Sequence, residues 1–286
     1  MMKYAVDGHE PSLLPEGWNW KLAWFDEFDG TELDRSKWDF RLHLLHTRHE
    51  TFTTEGVELK NDSCVYLNLI EKDGQYYSPH LQTGYNFLDE PDPERTDKHD
   101  WRFRWPVAHL KDDLFTHMYG YYECRCRLQQ QPGWWSAFWM QSPTIGCSND
   151  LAYSGAEIDI MESFEPNRVI TPCVWWNGYS TDTKGAIARE GENNAPVDFT
   201  PGFHYFGLLW EPDGDSFFYD GVQTGRKITE GVSQRPEFIL ISTECKGYRA
   251  GDGRTPDEEL KRAVLPDAFV VDHVRVFDPI NGFRKG

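Results

Sequence analysis

The chain has 286 residues, 39% hydrophobic and 15% aromatic, with a formal net charge of −18. That length and apolar content suit one large folded domain and exclude a disordered chain. The acidic balance argues against nucleic acid and anionic membrane as partners, since both repel a polyanion.

Residues 1–20 read as an irregular lead-in containing Pro11, Pro15 and Gly17. No apolar run there has signal-peptide length, and no later stretch approaches a transmembrane helix. The expected location is cytoplasmic unless a targeting segment has been removed. Residues 22–28 read as a strand, followed by an Asp29-Gly30 turn and a short turn at 33–38. Strands are expected over 52–59 and 63–71, where Val65, Leu67 and Leu69 alternate with Tyr66, Asn68 and Ile70. Residues 86–113 break this rhythm with Pro91, Pro93, Trp101 and Trp105, and a loop that long on a folded domain is usually functional.

Strands resume over 119–128, then an aromatic stretch runs over 132–140. Residues 155–163 and 169–179 follow as strands, and 185–200 read as a polar loop. A hairpin joins 203–210 to 216–219 around Pro212-Asp213-Gly214, and strands over 238–243 and 268–277 complete the pattern. Residues 257–264 are the best short helix. Many short strands separated by turns, without an internal repeat, indicate an all-β sandwich. Six cysteines, Cys64, Cys124, Cys126, Cys147, Cys173 and Cys245, include a pair two apart on one strand; buried free thiols are expected, in keeping with a reducing compartment.

The chemistry is concentrated in Gly155-Ala156-Glu157-Ile158-Asp159-Ile160-Met161-Glu162-Ser163. Side chains two apart share a strand face, so Glu157 and Asp159 point together. Strict alternation puts Glu162 on the opposite face, and one extra residue, a β-bulge at Ile160–Met161, returns it to theirs. Two carboxylates roughly 5–5.5 Å apart suit retaining glycoside hydrolysis, and an acid between them pushes their titrations apart. Trp134, Trp135 and Trp139 upstream, with Trp175 and Trp176 downstream, offer faces on which sugar rings stack. Trp135 is the expected stacking ring and Trp139 the more buried one. Trp175 and Trp176 face opposite ways in an extended strand, and Trp175 is placed in the cleft. His80 and Gln82, two apart, can reach the same cleft, whereas His117 and His204 are read as structural.

These motifs together resemble glycoside hydrolase family 16, the laminarinase-like β-glycanases, over roughly residues 20–280. The resemblance rests on Trp24-Phe25-Asp26-Glu27-Phe28-Asp29-Gly30 with Leu33-Asp34 and Lys37-Trp38, and on Tyr119-Gly120-Tyr121-Tyr122-Glu123. It continues through Pro132-Gly133-Trp134-Trp135-Ser136-Ala137-Phe138-Trp139-Met140, the Glu157 motif, Phe203-His204-Tyr205-Phe206-Gly207 with Trp210, and Val271-Asp272-His273-Val274-Arg275-Val276. It implies a jelly-roll β-sandwich of the concanavalin A-like lectin and glucanase type, spanning 1–286 as a single domain. It also implies Glu157 as nucleophile, Glu162 as acid/base and Asp159 as assisting carboxylate. The gap before Glu162 matches the family's bulged branch, which includes laminarinases, agarases, carrageenases and mucin-type endo-β-galactosidases. The chain departs from the pattern at Trp175, where relatives often carry histidine, and at Tyr85, where they often carry a basic residue. No cofactor is implied for the chemistry, but many relatives hold a structural calcium; Asp272 matches that position, with Glu27 as a second ligand.

The expected activity is thus retaining endo-hydrolysis of a β-1,3-glucan or β-galactan by double displacement, in a monomer whose partner is carbohydrate. The alternatives are a non-catalytic lectin-like sandwich and a transglycosylase, which shares the covalent intermediate. An intact carboxylate triad favours an enzyme over a lectin.

Overall fold

A computed structural model describes residues 1–89, 111–178, 182–188, 196–248 and 255–283. The expected loop at 86–113 therefore lies mostly outside the described residues. In chain order the sandwich strands are β1 (Trp20–Asp26), β2 (Asp39–Phe40), β3 (Phe52–Thr53), β4 (Val57–Lys60), β5 (Cys64–Asn68) and β6 (Ile70–Lys72). Then come β7 (Gln75–Gln82), β8 (Gly120–Arg127), β9 (Trp134–Gln141), helix α1 (Leu151–Ser154), β10 (Ala156–Ser163), β11 (Cys173–Trp176) and β12 (Lys184–Ile187). The last are β13 (His204–Glu211), β14 (Gly214–Tyr219), β15 (Val222–Gln223), β16 (Phe238–Cys245) and β17 (Ala268–Pro279).

These strands form two sheets. Sheet A has the order β6-β7-β16-β9-β10-β11-β12, with β2 and β3 also pairing β7. Sheet B has the order β15-β14-β13-β8-β17-β5-β4, with β1 also pairing β17. Phe138, Met140, Ile158 and Val174 from sheet A meet Tyr122, Cys124, Phe206, Leu208, Val274 and Val276 from sheet B in one buried cluster. Alternation explains this: every second residue of each strand points inward, and those positions are apolar. The six thiols are free and buried. Burial pushes Cys245 up to about 12, so it stays a thiol at neutral pH. No helix among the described residues is long and apolar enough to cross a membrane.

Several elements differ from the sequence reading. The lead-in at 1–20, expected to be irregular, pairs Met2–Tyr4 with Ser12–Leu14 in a small antiparallel sheet. The strand at Gln75–Gln82 was not among those expected, and its Pro79 is a poor residue for a central strand. Pro79 is tolerated where β7 changes partners: Ser78 and Pro79 pair β3 in parallel, and His80 to Gln82 pair β16. The strand Lys184–Ile187 lies in a stretch read as polar loop. Its Gly185 is required by contact, since a Cβ there would sit 2.3 Å from Cζ3 of Trp175. The helix expected over 257–264 is only a 3₁₀ turn, Leu260–Arg262.

Trp134, expected to bind substrate, faces away from the tryptophans with which it was grouped. Its ring is fully buried among Leu69, Tyr76, Cys245, Tyr248 and Leu260. Its Nε1–H donates to Asp267 Oδ2 at 3.1 Å. The cause is alternation along β9, which gives neighbouring Trp134 and Trp135 opposite faces. Trp134→Ala should therefore cost about 3–5 kcal/mol in urea unfolding, whereas Trp175→Ala, with its ring 39% exposed, should cost well under half of that. Equal losses would place Trp134 outside the core.

Candidate active site

The short helix α1 is capped by Asp150, whose Oδ1 accepts from the Ala152 backbone N–H at 2.9 Å. It ends at Gly155, whose φ of +63 turns the chain directly into β10, and a Cβ there would meet Ser142 Cβ at 2.5 Å. β10 pairs β9 with Gln141 opposite Glu157, Trp139 opposite Asp159, Phe138 opposite Met161 and Ala137 opposite Glu162. The register shifts between Phe138 and Trp139, so Ile160 is passed over. This is the bulge expected at Ile160–Met161. It puts Ile158, Ile160 and Met161 in the core, each 0% exposed, and leaves Glu157, Asp159 and Glu162 on the other face. The Tyr219 hydroxyl, from sheet B, lies 3.3 Å from the Ile160 carbonyl oxygen at the irregularity.

β11 supplies the next column of that face, with Trp175 opposite Glu157 and Cys173 opposite Asp159. Cys173 donates its S–H to Asp159 Oδ2 at 3.2 Å, and Trp175 Nε1–H points at Cys173 Sγ at 3.1 Å. Gln141 Nε2 donates to Glu157 Oε2 at 3.0 Å. One ligand atom from each of Asp159, Glu162 and Cys173 lies within 4.8 Å of the others. Burial, then the nearby charges of Glu162 and Glu157, push Asp159 well above the ordinary carboxylate range. Burial and the neighbouring Asp159 and Glu162 likewise push the Cys173 thiol up. Cys173 therefore meets Asp159 as a neutral thiol donor. The face can thus hold a proton on Asp159, beside Glu157 and Glu162.

The aromatic and polar residues expected around the cleft divide by depth. Trp175 is exposed, its ring lying over Gly185, while Trp176 packs against the core. Trp135 is half-buried, with its ring 5.2 Å from that of Phe164. Trp139 shares the carboxylate face but is 8% exposed; its Nε1–H donates to Ser242 Oγ at 2.9 Å, and the Arg41 guanidinium lies 5.1 Å from its ring. His80 and Gln82 reach the same face of β7, yet both are buried, and Phe52 stacks on His80 at 3.9 Å. Beside them a cleft of about 450 Å³ is lined by Asp39, Arg41, Gln82, Asn86, Asp89 and Lys111. His117 pairs with Asp278 and His204 with Asp220, at 2.8 and 2.7 Å. The sequence reading overlooked Gln141 and Cys173, although each stands two residues from a tryptophan it singled out. Asn86 and Asp89 open the 86–113 stretch read as a functional loop but were not singled out in it, and Arg41 carried no signal; only tertiary packing brings the three together.

The calcium ligands expected at Asp272 and Glu27 do not fit an ion. Asp272 Oδ2 accepts from Arg125 at 2.9 Å and from His273 at 3.0 Å. Against the effect of burial, these partners hold its carboxyl below the usual range. Glu27 accepts two bonds of 2.7 Å from the fully buried Arg275. Guanidinium groups supply the positive charge these carboxylates need, and a dication placed there would have to displace them.

Residues 107–254 match the family model for glycosyl hydrolases family 16. The chain is 25% identical, over 90% of its length, to Glucan endo-1,3-beta-glucosidase A1 of Niallia circulans, of which the match covers 37%. It thus spans little more than a third of that relative. It is 27% identical to Glucan endo-1,3-beta-glucosidase of Cryptopygus antarcticus, over 90% of this chain and 91% of that protein. Its fold is similar, with a TM-score of 0.62 and 22% identity, to the catalytic domain of an endo-1,3-beta-glucanase (laminarinase) from Thermotoga petrophila RKU-1, covering 92% of this chain and all of that one.

The raised Asp159 carboxyl has a consequence for stability. Between the unfolded value of roughly 3.9 and its higher folded value, the folded state holds a proton that the unfolded state releases. Stability therefore falls as pH rises through that window. Asp159→Asn removes the penalty, so its melting temperature should exceed that of the wild type at pH 7–8, and the gain should shrink toward pH 4. A gain independent of pH would show that Asp159 does not hold that proton.

Proposed function

From the premise that this chain belongs to family 16 of the glycosyl hydrolases, we propose that it is a retaining endo-β-1,3-glucanase. The observation that carries the reading is the placement of Glu157, Asp159 and Glu162 on one face of a single bulged strand. Glu157 attacks the anomeric carbon. Glu162 protonates the departing glycosidic oxygen and then takes a proton from the water that releases the sugar. Asp159, the buried member, lies between them and keeps a proton within the cluster, because three adjacent charges would repel one another. Two carboxylates on one strand face suit direct attack more than an inverting arrangement, which needs room for a water between acid and base. Trp175 and Trp135 supply the accessible stacking surfaces. The names of the two relatives support a β-1,3-glucan as substrate.

Laminarin hydrolysis followed by proton NMR tests the reading. The first product should be the β-anomer, appearing before mutarotation. Glu157→Gln should lower kcat by on the order of 10⁴-fold or more with an unchanged fold, and azide should restore part of the turnover of Glu157→Ala. An α-anomer formed first, or near-wild-type turnover by Glu157→Gln, would overturn the assignment.

A further inference from the structure

Behind the proposed nucleophile runs a chain of four buried polar side chains from three parts of the sequence. Gln141, Asn86, Asp89 and Arg41 are 0%, 2%, 7% and 2% exposed. Arg41 Nε–H donates to Asp89 Oδ2 at 2.6 Å. Asn86 Nδ2 donates one hydrogen to Asp89 Oδ2 at 2.9 Å and the other to Gln141 Oε1. Gln141 Nε2 donates to Glu157 Oε2 at 3.0 Å. Asn86 is held from its other side, because its Oδ1 accepts from the Asp89 backbone N–H at 2.9 Å. Asp89 Oδ1 accepts from the Leu45 backbone N–H at 3.1 Å.

The chain has a direction. An amide is nearly symmetric in shape, so packing alone does not decide which end of Gln141 meets Glu157. An ionised carboxylate only accepts. Asp89, ion-paired to Arg41, therefore draws the NH₂ group of Asn86. That group's second hydrogen draws the carbonyl of Gln141, which leaves the Gln141 NH₂ facing Glu157. The reverse setting would put a carbonyl oxygen against the carboxylate, with repulsion in place of a charge-assisted hydrogen bond.

We propose that Arg41, Asp89 and Asn86 are positioning residues that fix the orientation of Gln141, and that Gln141 thereby holds Glu157 for attack. This rests on Glu157 being the nucleophile. The step it serves forms the bond from the Glu157 oxygen to the anomeric carbon as the bond to the leaving oxygen breaks and its electron pair departs with that oxygen. Arg41, Asn86 and Asp89 also line the cleft, but Gln141 is fully buried outside that lining, so the loss on changing Gln141 belongs in kcat more than in KM.

A 2,4-dinitrophenyl 2-deoxy-2-fluoro-β-laminaribioside tests this, since its leaving group needs no protonation and the trapping rate isolates the attack by Glu157. Asn86→Ala removes the bond that sets the direction and should slow trapping by on the order of 10-fold. Asn86→Asp should slow it further, by at least about 100-fold, because a carboxylate there draws the Gln141 NH₂ and turns the carbonyl onto Glu157. A residue that merely fills space would give the opposite order, since Asp matches Asn in shape and Ala does not. Gln141→Met keeps the volume, removes the donor and should resemble Asn86→Ala, with laminarin KM changed less than about 3-fold. If the wild type is labelled at Glu157 and Asn86→Asp is trapped as fast as Asn86→Ala, the directional chain is wrong. Wild-type trapping by Gln141→Met overturns it whether or not the aspartate variant folds. A wild type that carries no label at Glu157 overturns the proposed nucleophile, and the positioning role with it.

Discussion

The register shift at Ile160 is the constraint on which the rest of the site depends. A strand face accepts one residue in two, and three carboxylates at spacings of two and three cannot share a face under that rule. Passing over Ile160 solves the problem for both sides of the sheet at once. Glu162 rejoins Glu157 and Asp159, while Ile160 and Met161 both enter the core. The apolar side stabilises the irregularity. Two adjacent buried hydrophobic side chains oppose any return to regular pairing, which would expose one of them and bury Glu162 between the sheets, at a cost typical of an unpaired buried charge. The Tyr219 hydroxyl, reaching across from sheet B, adds a polar partner near the displaced carbonyl. The catalytic face is thus held in register by the layer behind it.

That logic was legible because periodicity is a local property. The bulge, the carboxylate face and the opposite facing of Trp175 and Trp176 all follow from counting by two along one strand. The same count correctly applied would have moved Trp134 into the core, since it adjoins Trp135; grouping tryptophans by composition hid this. Pro79 and Gly185 stand in strands that the sequence reading did not assign. Each is a poor strand residue by itself, and each is required by a neighbour: β7 changes partners at one, and the Trp175 ring occupies the Cβ position at the other. Tertiary contact overrides propensity at such places.

The depth of side chains was less legible than their direction. Alternation put His80 and Gln82 on the carboxylate face; Gln82 does line the cleft there, but His80 is covered by Phe52 from a two-residue strand whose parallel pairing no local pattern announces. The same limit applies to the acid pair expected to hold calcium. Asp272 and Glu27 are oxygen donors in suitable positions, but their charges are met by Arg125 and Arg275, and the second of these lies 248 residues from its partner.

The charges of the site follow a consistent rule. Gln141 and Cys173, which donate to Glu157 and Asp159, are neutral. A lysine or arginine in either position would hold the carboxylates ionised and empty the cluster of its proton. A retaining mechanism needs that proton, because one carboxyl must arrive as an acid and leave as a base. A neutral amide offers orientation without that effect, but it has two nearly equivalent settings. The structure supplies the missing asymmetry from a distance: Arg41 pairs with Asp89, and the direction passes through Asn86 before it reaches Gln141. Positive charge thus orders the partner of the proposed nucleophile while its direct effect at the carboxylates is offset by Asp89.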